Sequence, residues 1–299
     1  MRCSFALALG TLVLGIAAAR AEEPSTTESA EDPKRAGPST TRRPGSAITP
    51  ASGPPGNGTC GLRVRVGKGK PAGGGALPAS SGTSVLKAAQ TVPAGGSFDG
   101  GMVAFDRGVP CTGQAEGTDA DAVFVLGRGA RLSNVIIGPN QVEGVHCNGS
   151  CVLDNVWWSA VCEDAFTLKV QAAGETTTIT SGGAFGAADK VLQHNGAGTL
   201  SVAGFTVAAF GKLYRSCGNC KSMFERHVVL DDIRASSGAL LVGINSNYGD
   251  TATFKRIKAD NVTEICTEYE GNDVGEEPAE IGSGPSKACR YSPSDIIGS

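Results

Sequence analysis

Aromatic and charged side chains are both scarce in this chain of 299 residues: 5% and 18% respectively. Few stretches longer than ten residues repeat apolar positions at helical spacing, so a helix bundle has little to pack with. There is no basic face to speak of. The net charge is −3, which argues against general nucleic-acid binding. The 3 histidines, His146, His194 and His227, are too far apart in sequence to form an imidazole cluster. They are expected as polar corner residues, not as metal ligands. Only Phe5–Ala18 is a long apolar run, and it is too short to span a bilayer.

That run follows Arg2 and precedes Ala19-Arg20-Ala21, so residues 1–21 have the form of a secretory signal. Residues 22–82 are rich in Pro, Ser, Thr and Gly and are read as a low-complexity linker. A folded domain is expected over 83–299. The 10 cysteines agree with an oxidising compartment, and losing Cys3 with the leader leaves an odd number. Cys217 and Cys220 are expected to brace a loop. Cys266 and Cys289 are expected to close the acidic segment Gly271–Gly284, whose acidic residues are read as solvated. Asn57, Asn148 and Asn261 head glycosylation sequons. The expected product is a secreted, extracellular glycoprotein, monomeric and without a membrane partner.

What is abundant is glycine, 43 residues, set between short β-branched runs. These include 130–138, 151–158, 199–208, 227–234 and 251–258. SNV at 133–135 recurs as DNV at 154–156, and Ile233 recurs as Ile257 after a similar interval. A helix-free repeat of roughly 20–28 residues describes a β-solenoid. An all-β, right-handed parallel β-helix is expected, with a β-sandwich as the rival. A short helical cap is expected near 84–89. Asn134 and Asn155 are expected to stack, buried, at one corner, and of Trp157 and Trp158 one should face in and one out.

Equivalent positions on successive coils lie about 4.8 Å apart. Glu143, Glu163 with Asp164, Lys190, and Lys212 with Arg215 follow one another at intervals of about one such repeat each. One face would then carry three carboxylates beside three cations. Two carboxylates about 5 Å apart at an effective dielectric of about 20 repel by on the order of 3 kcal/mol. A cation between them removes that cost, and hard oxygen ligands point to Ca²⁺. Consecutive strand residues point to opposite faces, so Glu163 and Asp164 reach one ion only at a bend. A lysine beside such an ion and another cation would lose its proton more easily, as a base must. Solvated surface charge is the plainer alternative.

Five segments, VPAGGSFDGG (92–101), EGVHCNGSCVLDNVWW (143–158), CEDAFTLK (162–169), ADKVLQHNGAGT (188–199) and GKLYRSCGNC (211–220), resemble the pectate lyases of polysaccharide lyase family 3. The resemblance spans roughly residues 85–290. It implies a parallel β-helix and Ca²⁺-dependent β-elimination on polygalacturonate. By motif it assigns Glu143, Glu163 and Asp164 to the metal and Lys190, Lys212 and Arg215 to the active site. Lys190 is the first candidate for the base and Lys212 the second. Some relatives carry Asp where Glu143 stands, one methylene shorter. A non-catalytic carbohydrate-binding or effector protein and a β-helical hydrolase remain the alternatives.

Overall fold

The structure, a computed structural model, describes residues 75–298. The leader, most of the linker, Asn57, Cys3 and Cys60 lie outside the described residues. Eight short strands come first: β1 Gly82–Val85, β2 Gln90–Val92, β3 Ser97–Asp106, β4 Ala122–Gly127, β5 Arg131–Ile137, β6 Glu143–Asn148, β7 Val152–Trp158 and β8 Asp164–Val170. Four long ones follow: β9 Thr176–His194, β10 Gly198–Ser216, β11 Arg226–Asn245 and β12 Thr251–Glu270. β1, β3, β5 and β7 stack in parallel, and so do β2, β4, β6 and β8. Both stacks run into β9, whose two ends pair with β7 and β8. From β9 onward each coil is one bent strand, paired in parallel with the next. The result is a right-handed parallel β-helix of about eight turns.

The anticipated repeat is present residue for residue. Asn134 and Asn155 follow paired residues in β5 and β7, and Ile233 pairs with Ile257. The strands bend because one residue per coil adopts the left-handed conformation. Asn134, Asn155, Ser181, Gly204, Asp232 and Arg256 all have φ between 52° and 64° and occupy equivalent corner positions. Asn and Gly tolerate that region best, and this is the chemistry behind the recurring SNV and DNV. The asparagine stack is half-buried, not buried. Asn155 Nδ2 donates to Asn134 Oδ1 at 2.9 Å, and Asn134 Nδ2 donates to Asp99 at 2.9 Å. A second left-handed corner runs through Gly186, Ala209, Ser237 and Asn261.

Inside the coils Leu132, Leu153, Ile179, Val202, Leu230 and Phe254 stack with little or no exposure. Trp158 is fully buried while Trp157 is half-exposed, so the pair splits as expected. Two other expectations fail. Residues 84–89 form no helix. Ser84 pairs with Phe105 in β1, and Leu86 N continues the ladder to Asp106 O at 2.8 Å. Pairing with a neighbouring strand outweighs a weak local helical preference. Among the described residues the only helical turns are the 3-10 segments Ser246–Tyr248 and Pro293–Asp295.

The histidines are not corner residues either. All three lie in strands, and His146 and His194 are wholly buried. Four disulfides close: Cys111–Cys162, Cys147–Cys151, Cys217–Cys220 and Cys266–Cys289. The last two match the sequence reading. No helix among the described residues is long and apolar enough to cross a membrane.

His194 illustrates how the interior treats charge. Its Nε2–H donates to Ala197 O at 3.3 Å, and its Nδ1 accepts from the Tyr214 hydroxyl at 2.9 Å. Burial, with the Arg226 guanidinium adding to it, pushes its pKa from 6.5 down to about 3. The unfolded chain therefore binds a proton that the folded chain refuses. Stability contributed by neutral His194 is full above pH 6.5 and falls as pH drops towards 3. Denaturant titrations of wild type and His194→Gln across that window should show a shallower acid slope for the variant. Parallel slopes would exclude His194 as a source of acid lability.

Candidate active site

The second stack of strands carries the site. Asp164 at the start of β8 pairs with Lys190 in β9, and Lys190 pairs with Lys212 in β10. Val145 pairs with Phe166, so Glu143, two residues before Val145, falls on the same line. Glu143, Asp164, Lys190 and Lys212 thus form one column across four coils. Glu163 sits in the bend just before β8, where its N–H donates to Val142 O at 3.1 Å. The bend lets the consecutive carboxylates converge, as their chemistry required. Equal steps in sequence had paired Glu163 with Glu143. In the strand register it is Asp164 that stacks there.

All three acids are buried: Glu143 and Glu163 are 1% exposed and Asp164 2%. Their electrostatics are correspondingly strained. Burial raises the Glu163 and Asp164 carboxyls above the ordinary range, although Lys190 counteracts it. Lys190 Nζ lies 3.1 Å from Glu163 Oε1, 3.5 Å from Asp164 Oδ1 and 3.1 Å from Asp189 Oδ2. Burial alone would lower the Lys190 pKa, but the surrounding carboxylates outweigh it and hold the ammonium above its usual range. Within the protein's own groups, then, Lys190 is a firmly charged cation. A lowered pKa requires another positive charge to take over those carboxylates. Asp189 also bonds Lys212, and the two ammonium groups outweigh its burial and lower its pKa.

Arg215 is 8% exposed. It donates to Ser216 O at 2.8 Å and Asn245 Oδ1 at 3.0 Å, and its guanidinium lies 4.1 Å from the centre of the Tyr269 ring. Asn245 is fixed in turn by Asp250, which accepts from its backbone N–H at 2.9 Å. Lys190, Lys212 and Arg215 share one cleft of about 240 Å³ with Glu116, Asp189 and Glu277. The structure therefore gathers all six residues singled out by spacing.

It also adds groups that spacing did not reveal. Glu116, from the irregular stretch between β3 and β4, brings a carboxylate oxygen within 4.8 Å of those of Glu143 and Glu163. Its loop is tied down at Cys111–Cys162, by Gln114 Nε2 donating to Cys162 O at 2.7 Å, and by Gly117 N donating to Glu143 Oε1 at 2.8 Å. Gly117 passes so close that a Cβ there would lie 2.6 Å from the Glu143 side chain. His146 Nε2 stands 3.2 Å from Glu143 Oε2, and its Nδ1 lies 2.8 Å from Asp119. The acidic segment after Gly271, read as solvated, sends Glu277 and Pro278 to the rim of the cleft.

The donor set suits a hard cation. Glu143 Oε2, Glu163 Oε2 and Asp164 Oδ1 are buried and accept no hydrogen bond among the described residues. Buried, unsatisfied carboxylate oxygens are costly. Oxygen-only ligation is what Ca²⁺ takes.

A parallel β-helix that carries an acid cluster beside a cationic cleft suits a hard cation and a polyanionic substrate. Comparison with known proteins goes further. Residues 74–276 match the family described as pectate lyase. The chain is 57% identical over 221 residues to the probable pectate lyase D of Emericella nidulans, covering 72% of this chain and 82% of that protein. It is 55% identical over 217 residues to pectate lyase E of the same organism, covering 72% and 84%. Among solved structures it resembles a pectate lyase from Erwinia chrysanthemi in complex with tetragalacturonic acid. The TM-score is 0.58 at 29% identity, covering 73% of this chain and 70% of that one. The chain belongs to the pectate lyase family and is an enzyme of that kind.

If the acid cluster is a calcium site, Ca²⁺ should stabilise the fold independently of any substrate. A free ion at about one hundred times its Kd adds about 2.7 kcal/mol. Wild type should show a calcium-dependent rise in Tm that Glu163→Gln loses. An equal rise in the variant would remove Glu163 from the metal site.

Proposed function

We propose that the protein is a secreted, calcium-dependent lyase that cleaves de-esterified homogalacturonan by β-elimination. The carrying observation is a cluster of three buried carboxylates, Glu143, Glu163 and Asp164, each with an oxygen that accepts no hydrogen bond among the described residues, joined through Lys190 to the cleft it lines with Lys212 and Arg215. Glu143, Glu163 and Asp164 would hold the ion, with Glu116 close enough to join them. Bound there, Ca²⁺ would supply positive charge that neutralises a uronate carboxylate and acidifies the adjacent C5–H.

The remaining chemistry falls to the chain. Arg215 stays protonated, and its fixed guanidinium binds a substrate carboxylate. Lys190 is the first candidate to take the C5 proton: relief of its three carboxylate contacts would lower its pKa, so that it can lose its own proton to solvent and act as the neutral amine. Lys212, with Asp189 as its only ion-pair partner among the described residues, is the second. As the C5 proton moves to the lysine, its electron pair forms the C4–C5 double bond. The C4–O4 bond breaks and O4 leaves with the next sugar. Asp189 contacts both lysines and can balance the charge as one of them is protonated.

Four disulfides accord with secretion, and the protein is read as a monomer acting on pectin. Asn261, exposed at a corner, is the open glycosylation acceptor. The Asn148 amide is engaged with Asp119 at 2.7 Å.

Polygalacturonate should yield unsaturated products absorbing in the ultraviolet, only with calcium present. Lys190→Ala should reduce kcat by at least about a hundredfold with the fold intact. Residual activity near wild type in that variant, with loss in Lys212→Ala, would transfer the base role to Lys212. Products without ultraviolet absorbance would indicate hydrolysis and defeat the lyase reading.

A further inference from the structure

The corner Gly186–Ala209–Ser237–Asn261 separates the strand run that carries the cleft from another lateral face. On that other face is a trough of about 370 Å³ that the reaction does not use. Its cationic end is formed by Arg234 and Lys258, paired in register on adjacent coils and both exposed. Neither makes an ion pair among the described residues. Its floor is Ala208 and Thr206, and Gly75 packs against Thr206 so closely that a Cβ there would lie 2.1 Å from the Thr206 hydroxyl oxygen. Beside it Phe185 and Trp157 lie nearly parallel, 8° apart with ring centres separated by 6.4 Å, and both are half-exposed. Trp157, Gly183, Thr206, Arg234 and Lys258 stand in one column. At about 4.8 Å per coil the column spans roughly 19 Å.

We propose that this trough binds a second stretch of the acidic polysaccharide, away from the cleavage cleft. Sugar rings stack on aromatic faces as amphipathic plates, and the two cations take uronate carboxylates. The order of groups along the axis, aromatic platform, small-residue floor and then cations, fits an extended acidic saccharide better than a compact anion. Asp260 at the edge opposes the charge, so the aromatic contact is needed as well. Tethering polymer on one face raises its effective concentration at the other. This inference rests on the homogalacturonan reading above. The competing occupant is the chain's own segment preceding Gly75, since Gly75 and Ala76 line the trough.

The test compares wild type with the double variant Arg234→Glu/Lys258→Glu, both deglycosylated so that no glycan at Asn261 intervenes. Cleavage of trigalacturonate and electrophoretic retention in gels containing polygalacturonate, with EDTA to suppress cleavage, are measured side by side. The variant should cleave the trimer like wild type while its retention weakens at least about threefold, the loss expected for two surface ion pairs. Equal retention of both proteins, or no retention of wild type as a covering segment would give, overturns the proposal. So does retention of wild type by polyglutamate as strong as by polygalacturonate, which would mean charge alone. Trimer cleavage without retention leaves the lyase reading standing; absence of both removes the lyase reading and this proposal together.

Discussion

Parallel, in-register pairing of successive coils is the constraint on which everything else in this molecule depends. It fixes the neighbour of each side chain by coil length alone. Glu143, Asp164, Lys190 and Lys212 meet because each separation along the chain equals one turn of this solenoid. The longer middle step, from Asp164 to Lys190, is taken up around the turn between β8 and β9, because the later stretch from Thr178 to Lys190 is as long as its counterpart from Val152 to Asp164. A one-residue slip in any of these strands would send the column to the opposite face, moving a buried carboxylate into the apolar interior.

That stacking is also why the site is electrostatically tense. A solenoid cannot splay like charges apart, since the backbone ladder holds them one coil from each other. Glu143 lies above Asp164, with Glu163 in the adjoining bend, and burial raises the Glu163 and Asp164 carboxyls instead of letting water screen them. Lys190 relieves part of this by contacting Glu163, Asp164 and Asp189. The cost is that Lys190 becomes harder to deprotonate. In the proposed mechanism, metal binding and proton abstraction are thereby linked. The carboxylates that want a divalent cation are the same ones that keep the proposed base charged.

Periodicity explains what was legible in the sequence. Four of the six site residues, Glu143, Asp164, Lys190 and Lys212, recur at coil spacing, with Glu163 and Arg215 close to them in sequence, and the Glu163-Asp164 pair demanded a bend that the fold supplies. Asn134 and Asn155 marked a corner because few residues accept a left-handed backbone. Contacts that do not repeat were invisible. Glu116 arrives on a loop pinned by Cys111–Cys162, a bridge spanning 51 residues with no periodic signature. Asp189 precedes Lys190 in a motif where only the lysine drew notice. His146 and His194 looked like polar punctuation. Their burial depends on partners, Asp119 and Glu143 for one and Tyr214 for the other, that only the folded chain brings together. The short stretch after Ser84 read as helical because its local preference is weak, and the edge of β3 decides it.

The burial of the acids separates the two reactions that a β-helical pectinolytic enzyme could run. Hydrolysis needs one carboxyl to protonate the leaving oxygen and another to act from across the scissile bond. Both must reach the sugar. Here Glu143, Glu163 and Asp164 are 1–2% exposed and face each other and Lys190, so none is free to flank a glycosidic bond. The groups that do line the cleft include Lys190, Lys212 and Arg215. An elimination asks for that division: anionic groups to hold positive charge next to the substrate carboxylate, and a nitrogen base with access to C5. Glu116, Asp189 and Glu277, the more exposed acids of the cleft, do not restore the hydrolytic arrangement. Asp189 is held ionised by the two lysines and so cannot act as the general acid. Glu116 brings its carboxylate within 4.8 Å of those of Glu143 and Glu163, so Glu277 is left without the partner that hydrolysis requires.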